Sequence, residues 1–169
     1  MSSQKASGAA EPVDAALFRR VCGRFATGVT VVTTTGPDGS PHGMTVNSFT
    51  SVSLNPPLVL VSIDTRNQVL ERFPEGASLA INVLAEDQED LSRRFAATMD
   101  DRFVGVGWAK GNFGEPVLDG AIACFECSVH KAVEAGDHII LIAAVKNLRL
   151  AEGEPLVFFD SAYRRLSSR

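Results

Sequence analysis

The chain of 169 residues is 45% hydrophobic and 21% charged, which is typical of a single globular domain with a sizeable core. Its formal net charge of −4 argues against a nucleic-acid binder, because such proteins normally present a basic face. No segment approaches the roughly 20 apolar residues that span a bilayer, and residues 1–12 lack the apolar core of a signal peptide. We therefore expect a disordered leader over 1–12, one domain over 13–169 and a cytoplasmic location without a membrane partner.

The N-terminal half predicts one helix followed by extended chain. Leu17, Val21 and Phe25 recur at four-residue spacing, which favours a helix over 13–25. The remaining predicted elements are a Val- and Thr-rich strand over 27–35, a turn over 36–39, extended chain over 43–54, an apolar strand over 58–63, a short helix over 67–73 and a strand over 78–84.

The C-terminal half predicts one more helix, a long loop and three strands. The helix covers 87–96, with acidic residues early and Arg93 and Arg94 late, an order that complements the helix dipole. Residues 100–120 contain five glycines and predict an irregular loop, and loops of that length tend to be functional. Strands follow over 121–133, 138–150 and 155–160. Many strands, tight turns and few helices indicate a mainly β fold, an antiparallel barrel.

The cysteines and histidines do not form a recognisable metal or redox motif. Cys22, Cys124 and Cys127 are a sparse, odd set that suits reduced thiols. The last two have C-x-x-C spacing, but they lie in a predicted strand, where residues three apart point to opposite faces. The histidines lack metal-ligand spacing, and the phosphate-loop, nucleophile-elbow and dinucleotide fingerprints are missing. We expect no metal site.

A polar segment over 41–48 is the most distinctive chemical feature. Thr45, Asn47 and Ser48 carry short polar side chains, and Gly43 lets a ligand approach the main chain closely. An edge of this kind suits a flat heterocycle with a polar rim, such as an isoalloxazine ring. The same residue types also suit ordinary strand and turn positions, so both interpretations stand at this point.

With no obvious catalytic acid or base, the sequence favours chemistry in which the protein positions two reagents, as in hydride transfer between cofactors. Arg94 either meets a phosphate or lies on a solvated helix face. His138 either contacts a ligand or satisfies a hydrogen bond in its turn. The aromatic residues near the C-terminus either pack in the core or form a stacking wall for a nicotinamide: Phe158, Phe159 and Tyr163.

Five segments together resemble the short-chain flavin reductases, the reductase components of two-component flavin-dependent monooxygenases. They are F-x-T-G-V-T-V-V-T-T over 25–34, G-M-T-V-N-S-F-T-S-V-S-L-N-P-P-L-V over 43–59, R-F over 94–95, G-D-H over 136–138 and P-L-V-F-F over 155–159. The resemblance covers residues 18–166. It implies an antiparallel split β-barrel with Greek-key-like order, which binds FMN or FAD and forms a homodimer.

The resemblance also implies site residues. Flavin contacts are implied at Pro41, His42, Gly43, Met44, Thr45, Asn47, Ser48, Ser62, Ile63, Asp64, Gln68, Val69, Arg94 and Phe95. Nicotinamide contacts are implied at His138, Leu156, Val157, Phe158, Phe159 and Tyr163. One departure from the family pattern is the stretch 62–67, where Asp64 would be unfavourable beside a flavin phosphate.

The implied activity is transfer of hydride from NADH, or NADPH, to oxidised flavin, with no catalytic side chain. Reduced flavin then leaves for a separate monooxygenase. Two other functions remain open for the same barrel. One is a non-catalytic flavin-binding or electron-carrier protein, and the other is a flavin oxidase similar to the pyridoxamine-phosphate oxidases, which would need a basic phosphate pocket.

Overall fold

A computed structural model describes residues 12–99 and 101–167, so the expected leader lies outside the described residues except for Pro12. Two α-helices, a 3-10 helix and twelve strands form within this part of the chain. They are α1 Ala15–Cys22, β1 Thr27–Gly28, β2 Thr30–Thr35, β3 Pro41–Val46, β4 Thr50–Leu54, β5 Pro57–Asp64, the 3-10 helix Leu70–Arg72, β6 Ser78–Val83, α2 Glu89–Ala96, β7 Trp108–Lys110, β8 Pro116–Leu118, β9 Ala123–Ala135, β10 His138–Leu150, β11 Val157–Phe159 and β12 Ala162–Arg164.

One seven-stranded antiparallel sheet dominates the fold, in the order β3-β2-β6-β9-β10-β5-β4. Its inner face buries a core that includes Val32, Val61, Leu79, Ile81 and Leu141. The segment after β3 lies against β5, and the contact is made by a side chain and not by main-chain strand pairing. Ser48 Oγ accepts a hydrogen bond from the Ser62 N–H at 2.8 Å and donates to the Ser62 carbonyl at 2.9 Å. The mainly β, antiparallel prediction is confirmed.

Helix α2 covers β3 from outside the sheet. Thr45 Oγ1 on β3 donates to the Ser92 carbonyl of α2 at 2.7 Å. Phe95 lies directly against Gly43, where an added Cβ would approach the Phe95 ring to 2.9 Å. A second buried cluster lies here, formed by Val29, Val31, Leu84, Phe95, Leu118 and Leu156. The helix therefore fixes the position of β3, which carries most of the predicted site.

Two sequence predictions are wrong. Residues 100–120 are not wholly irregular, because β7 and β8 form a hairpin in which the Leu118 N–H donates to the buried Asn82 Oδ1 at 3.0 Å. The segment 67–73 contains a 3-10 helix of three residues instead of an α-helix. There Asn67 Oδ1 accepts from the Val69 N–H at 3.0 Å, a local turn that competes with helical hydrogen bonding.

Other boundaries shift without changing the architecture. Helix α1 is shorter than predicted, because Asp14 caps its start through the Leu17 N–H at 2.7 Å and Gly23 follows its last residue. The extended chain over 43–54 is interrupted between β3 and β4. Of the helices in 12–99 and 101–167, none has the length and apolar character to span a bilayer.

The two cysteines of the C-x-x-C segment lie on opposite faces of β9, as strand geometry predicts. Cys127 belongs to the large inner core, whereas Cys124 packs with Ala80 and Val117. Burial raises the pKa of each thiol to about 12. All three cysteines are free thiols.

Candidate functional site

Three adjoining cavities run along β3 and form one groove, here called the β3 groove. Its near end, about 270 Å³, is lined by residues 44–48, 62–64, Asn67 and His138. The middle, about 250 Å³, shares Met44, Thr45 and Asn67 with the near end. The far end, about 570 Å³, shares Gln68 and Arg102 with the middle. Because neighbouring cavities share lining residues, an elongated ligand can extend from one into the next.

The groove gathers nearly all of the predicted flavin residues. It is lined by Pro41, His42, Gly43, Met44, Thr45, Asn47, Ser48, Ser62, Ile63, Asp64, Gln68, Val69 and Phe95. Phe95 is a buried core residue that also lines the middle of the groove. Arg94 does not line these cavities, but its Nε is buried and finds no hydrogen-bond partner among the described residues.

The short polar side chains divide into two roles. Thr45 and Ser48 satisfy their hydroxyls within the protein, through Ser92 and Ser62, so they hold the wall in place. The amide of Asn47 makes no hydrogen bond to the described residues and lines the near end. Strand β3 is also an edge of the seven-stranded sheet, so one side of its main chain has no strand partner.

The negative charge of Asp64 at the near end is compensated by Arg66, which follows two residues later in the chain. Arg66 Nη2 lies 2.6 Å from Asp64 Oδ2, and the Arg66 N–H donates to Oδ1 at 2.8 Å. These hydrogen bonds hold the pKa of Asp64 well below its usual range, so the carboxylate is ionised and paired. The pairing removes much of the repulsion that an unpaired carboxylate would exert on an anionic ligand.

His138 lies at the start of β10, opposite Asp64 in the β10–β5 ladder. Its Nδ1 is 2.7 Å from Asp137 Oδ1, a contact that lowers the pKa of that carboxyl. The imidazole is 41% exposed and lines the near end of the groove. It is therefore anchored through one ring nitrogen and open to the groove.

The other predicted nicotinamide residues lie elsewhere in the chain. Leu156 is buried in the second cluster, and Phe158 packs edge-to-face on Tyr163 with ring centres 5.3 Å apart. A hydrogen bond of 2.8 Å joins the Tyr163 hydroxyl to Ser92 Oγ. Val157 and Phe158 pair with β1, and Phe159 with Ala162. Leu156 and Tyr163 line a separate cavity of about 690 Å³, so one chain does not bring this segment to His138.

Several groove residues were missed by sequence reasoning. Arg102 donates from Nη1 to the Gly43 carbonyl at 2.7 Å and from Nε to the Ala97 carbonyl at 3.0 Å. Arg72 and Trp108 line the far end, and Asn67 lines the near end and the middle. For Arg102 and Trp108, the only signal in the sequence was that the loop after α2 contains cationic and aromatic residues. No spacing rule links that loop to β3.

The family model described as flavin reductase like domain matches residues 22–167. The preceding observations define the class of structure: a domain of antiparallel strands with a groove that suits a flat ligand with a polar rim. This chain belongs to the flavin reductase like family.

Individual relatives agree with this assignment. The chain is 47% identical over 146 residues to the reductase component of the flavin-dependent trigonelline monooxygenase of Acinetobacter baylyi, covering 86% of this chain and 47% of the relative. It is 46% identical over 151 residues to FMN reductase (NADH) SmoA of Agrobacterium fabrum, covering 89% of this chain and 85% of the relative. The chain thus spans about half the length of some curated relatives and most of the length of others.

A solved structure gives the same result for the fold. NADH:FAD oxidoreductase SgcE6 of Streptomyces globisporus, in complex with NAD and FAD fragments, matches with a TM-score of 0.85 and 40% identity. The match covers 94% of this chain and 98% of the other.

Proposed function

We propose that this protein is an NAD(P)H-dependent flavin reductase, which transfers hydride from NADH, or NADPH, to FMN or FAD and supplies reduced flavin to a separate monooxygenase. The observation that carries the proposal is the β3 groove, where thirteen residues expected to contact flavin share one surface with His138. Relatives named as NADH-dependent flavin reductases support it.

The described residues fit a flavin. The free edge of β3 and the amide of Asn47 offer donors and acceptors to a heterocycle with a polar rim. The Nε of Arg94 is buried without a hydrogen-bond partner among the described residues, but Arg94 does not line the groove, so its contact with a flavin phosphate stays a prediction. When bound, a flavin supplies the hydride-accepting chemistry.

The protein's own contribution is positioning. Ser48 and Thr45 fix β3 against β5 and α2, so the donors of the groove are held in place before a ligand enters. Donors fixed in this way stabilise negative charge without reorganising. His138, anchored by Asp137, is suited to hold the nicotinamide nucleotide at the near end of the groove.

We further propose that the protein is a homodimer in a reducing, cytoplasmic compartment. Helix α1 buries none of its residues, and Leu54 on the edge strand β4 is 95% exposed. Apolar surface of this kind is typical of an interface. A second copy would also place another Leu156–Tyr163 segment in the assembly. The free thiol of Cys22, which is exposed, suits a reducing location.

The decisive experiment follows NADH absorbance after adding FMN, FAD or no flavin to the purified chain, and repeats the series with NADPH. Loss of the NADH band that depends on added flavin is the expected result. Flavin binding without NADH consumption would contradict the proposal and favour the non-catalytic flavin carrier. Flavin that survives gel filtration, is not reduced by NADH or NADPH, and is reduced by another substrate and then reoxidised by oxygen would favour the fixed-flavin oxidase.

A further inference from the structure

We propose that the far end of the β3 groove binds the adenosine diphosphate half of FAD, so that this reductase prefers FAD to FMN. The inference rests on the proposed function and adds the choice of flavin. Relatives of this chain are named for either flavin, so the choice has to come from its own residues.

The size and continuity of the groove are the first argument. The near end and the middle, at about 270 and 250 Å³, together reach the volume of a typical small-molecule site. The far end adds about 570 Å³, which is itself the size of such a site, and connects through Gln68 and Arg102. A flavin ring held at the near end therefore leaves the largest part of the groove to the rest of the ligand.

The charges at the far end suit a pyrophosphate. Arg72 and Arg102 both line it, and neither forms a salt bridge with any carboxylate in 12–99 or 101–167. Guanidinium groups bind phosphate oxygens through charge-assisted hydrogen bonds. Arg102 uses Nε and Nη1 on the Ala97 and Gly43 carbonyls, so it offers a phosphate its positive charge and Nη2. Asp101 is the carboxylate that also lines this cavity. Two cations against one anion favour an anionic ligand.

The aromatic and apolar residues at the far end suit a purine. The ring of Trp108 lies edge-to-face on Phe103 with centres 5.9 Å apart, and Phe103 in turn contacts Phe95 at 4.9 Å. Met99 and Val104 are apolar side chains of the same cavity that stand exposed in the free chain. An aromatic ring of this kind can bind a purine base by stacking, without hydrogen bonds to the edge of the base. Aromatic surface beside two guanidinium groups is nucleotide-binding chemistry.

The imidazole of His42 fits the same ligand. Its Nε2 lies 2.9 Å from Ser40 Oγ, and burial, reinforced by the nearby Arg72, lowers the pKa of His42. The ring is therefore neutral at pH 7 and offers a flat, weakly polar surface. NADH also carries an adenosine diphosphate group, so the experiment has to distinguish the two sources of this chemistry.

The first test uses the single tryptophan of the chain as a local reporter. Adenosine diphosphate alone, added to the purified protein, is expected to quench Trp108 fluorescence saturably. Arg72→Met is expected to weaken that quenching about tenfold. Lys110→Met is the control, because Lys110 is a cation on the same strand as Trp108 but does not line the cavity, and this change should leave the quenching unaltered. This readout needs no turnover, so it reports on the far end even if NADH oxidation fails and the proposed function falls.

The second test assigns the site to one nucleotide. Arg72→Met and Trp108→Leu are each expected to raise the KM for FAD about tenfold and to leave the KM values for FMN and NADH within twofold. A raised KM for NADH instead would assign the far end to the dinucleotide donor and overturn the inference. Equal KM values for FAD and FMN in the unmodified protein, or no quenching by adenosine diphosphate, would also overturn it.

Discussion

Two glutamates lie buried together where the β7–β8 hairpin meets β9. Glu126 is fully buried, and its oxygens accept hydrogen bonds from Asn112, Asn147 and Arg149, the last at 2.7 Å. Burial alone would raise its pKa, but these donors outweigh burial and lower it to about 2. The Glu126 carboxylate is therefore ionised and fully paired at neutral pH.

Glu115 is in the opposite situation. Its carboxyl is also fully buried, yet neither oxygen has a hydrogen-bond partner among the described residues. Burial, with a smaller contribution from the Glu126 charge, raises the pKa of Glu115 to about 7. The carboxyl is thus protonated in mildly acidic solution and begins to ionise near neutrality.

Glu115→Gln should remove a pH dependence of stability. The folded protein binds the Glu115 proton more tightly than the unfolded chain, whose carboxyl has its ordinary value of 4.5. Its stabilising contribution is therefore complete below about pH 4.5 and is lost as pH rises to about 7, a change on the order of 3 kcal/mol. Urea unfolding at pH 5 and pH 8 should show a smaller fall for the variant. Parallel profiles for both proteins would contradict this, and Glu152→Gln, at an exposed site, is the control.

His138→Ala tests the contact at the near end of the groove. Removing an anchored, half-exposed imidazole should raise the KM for NADH about tenfold, the loss of roughly one hydrogen bond to the ligand. Flavin affinity, measured by fluorescence titration, should change less than threefold. His130→Ala removes an exposed imidazole on β9 and should change neither value. Unchanged NADH kinetics in the His138 variant would exclude this role.

At the level of elements, the shape of the β3 groove depends on how closely α2 approaches β3. The approach is possible because residue 43 has no side chain, and the ring of Phe95 occupies the space that a Cβ would need. Phe95 also belongs to the second buried cluster, so it cannot move aside freely. The position of the groove wall is therefore tied to core packing.

Gly43→Ala should separate these two elements. The new methyl would lie 2.9 Å from Phe95 Cε1 and 3.2 Å from Thr33 Cγ2, so β3 or α2 must shift. Overpacking of this kind costs about 1–3 kcal/mol of unfolding free energy. Flavin affinity should fall as well, because β3 lines the whole groove. At Gly28 an added Cβ meets nothing within 4 Å, so Gly28→Ala is the matched control. Equal melting temperatures for the two variants would contradict the packing argument.

Sequence reasoning succeeds for elements whose pattern is local. Strand β10 has the predicted limits, because its apolar run is long and a Gly-Asp turn precedes it. The β7–β8 hairpin was missed, since strands of three residues are too short for periodicity and the pairing depends on Asn82 in a distant strand. The same holds for the site. The composition of segment 41–48 is enough to indicate a binding site, whereas Arg102 and Trp108 reach the groove only through the tertiary fold.

At the scale of the whole molecule, helix α1 poses a stability problem that a second copy would solve. A helix of eight residues is not stable alone in water and normally depends on packing of its apolar face. Yet none of its residues is buried, and Phe18 and Val21 are 59% and 62% exposed. The exposed edge strand β4 presents further apolar surface at Val52 and Leu54. These surfaces account for the proposed homodimer.

Phe18→Asp should therefore convert dimer to monomer. A charge on the apolar face of α1 would have to be buried without a partner in the interface, at a cost of several kcal/mol. Sedimentation velocity at micromolar concentration should then give the mass of one chain, 18.0 kDa, instead of two. Arg20→Asp changes an exposed cation of the same helix and should leave the dimer intact. A monomeric unmodified protein, or a Phe18→Asp variant that remains dimeric, would show that α1 does not form the interface.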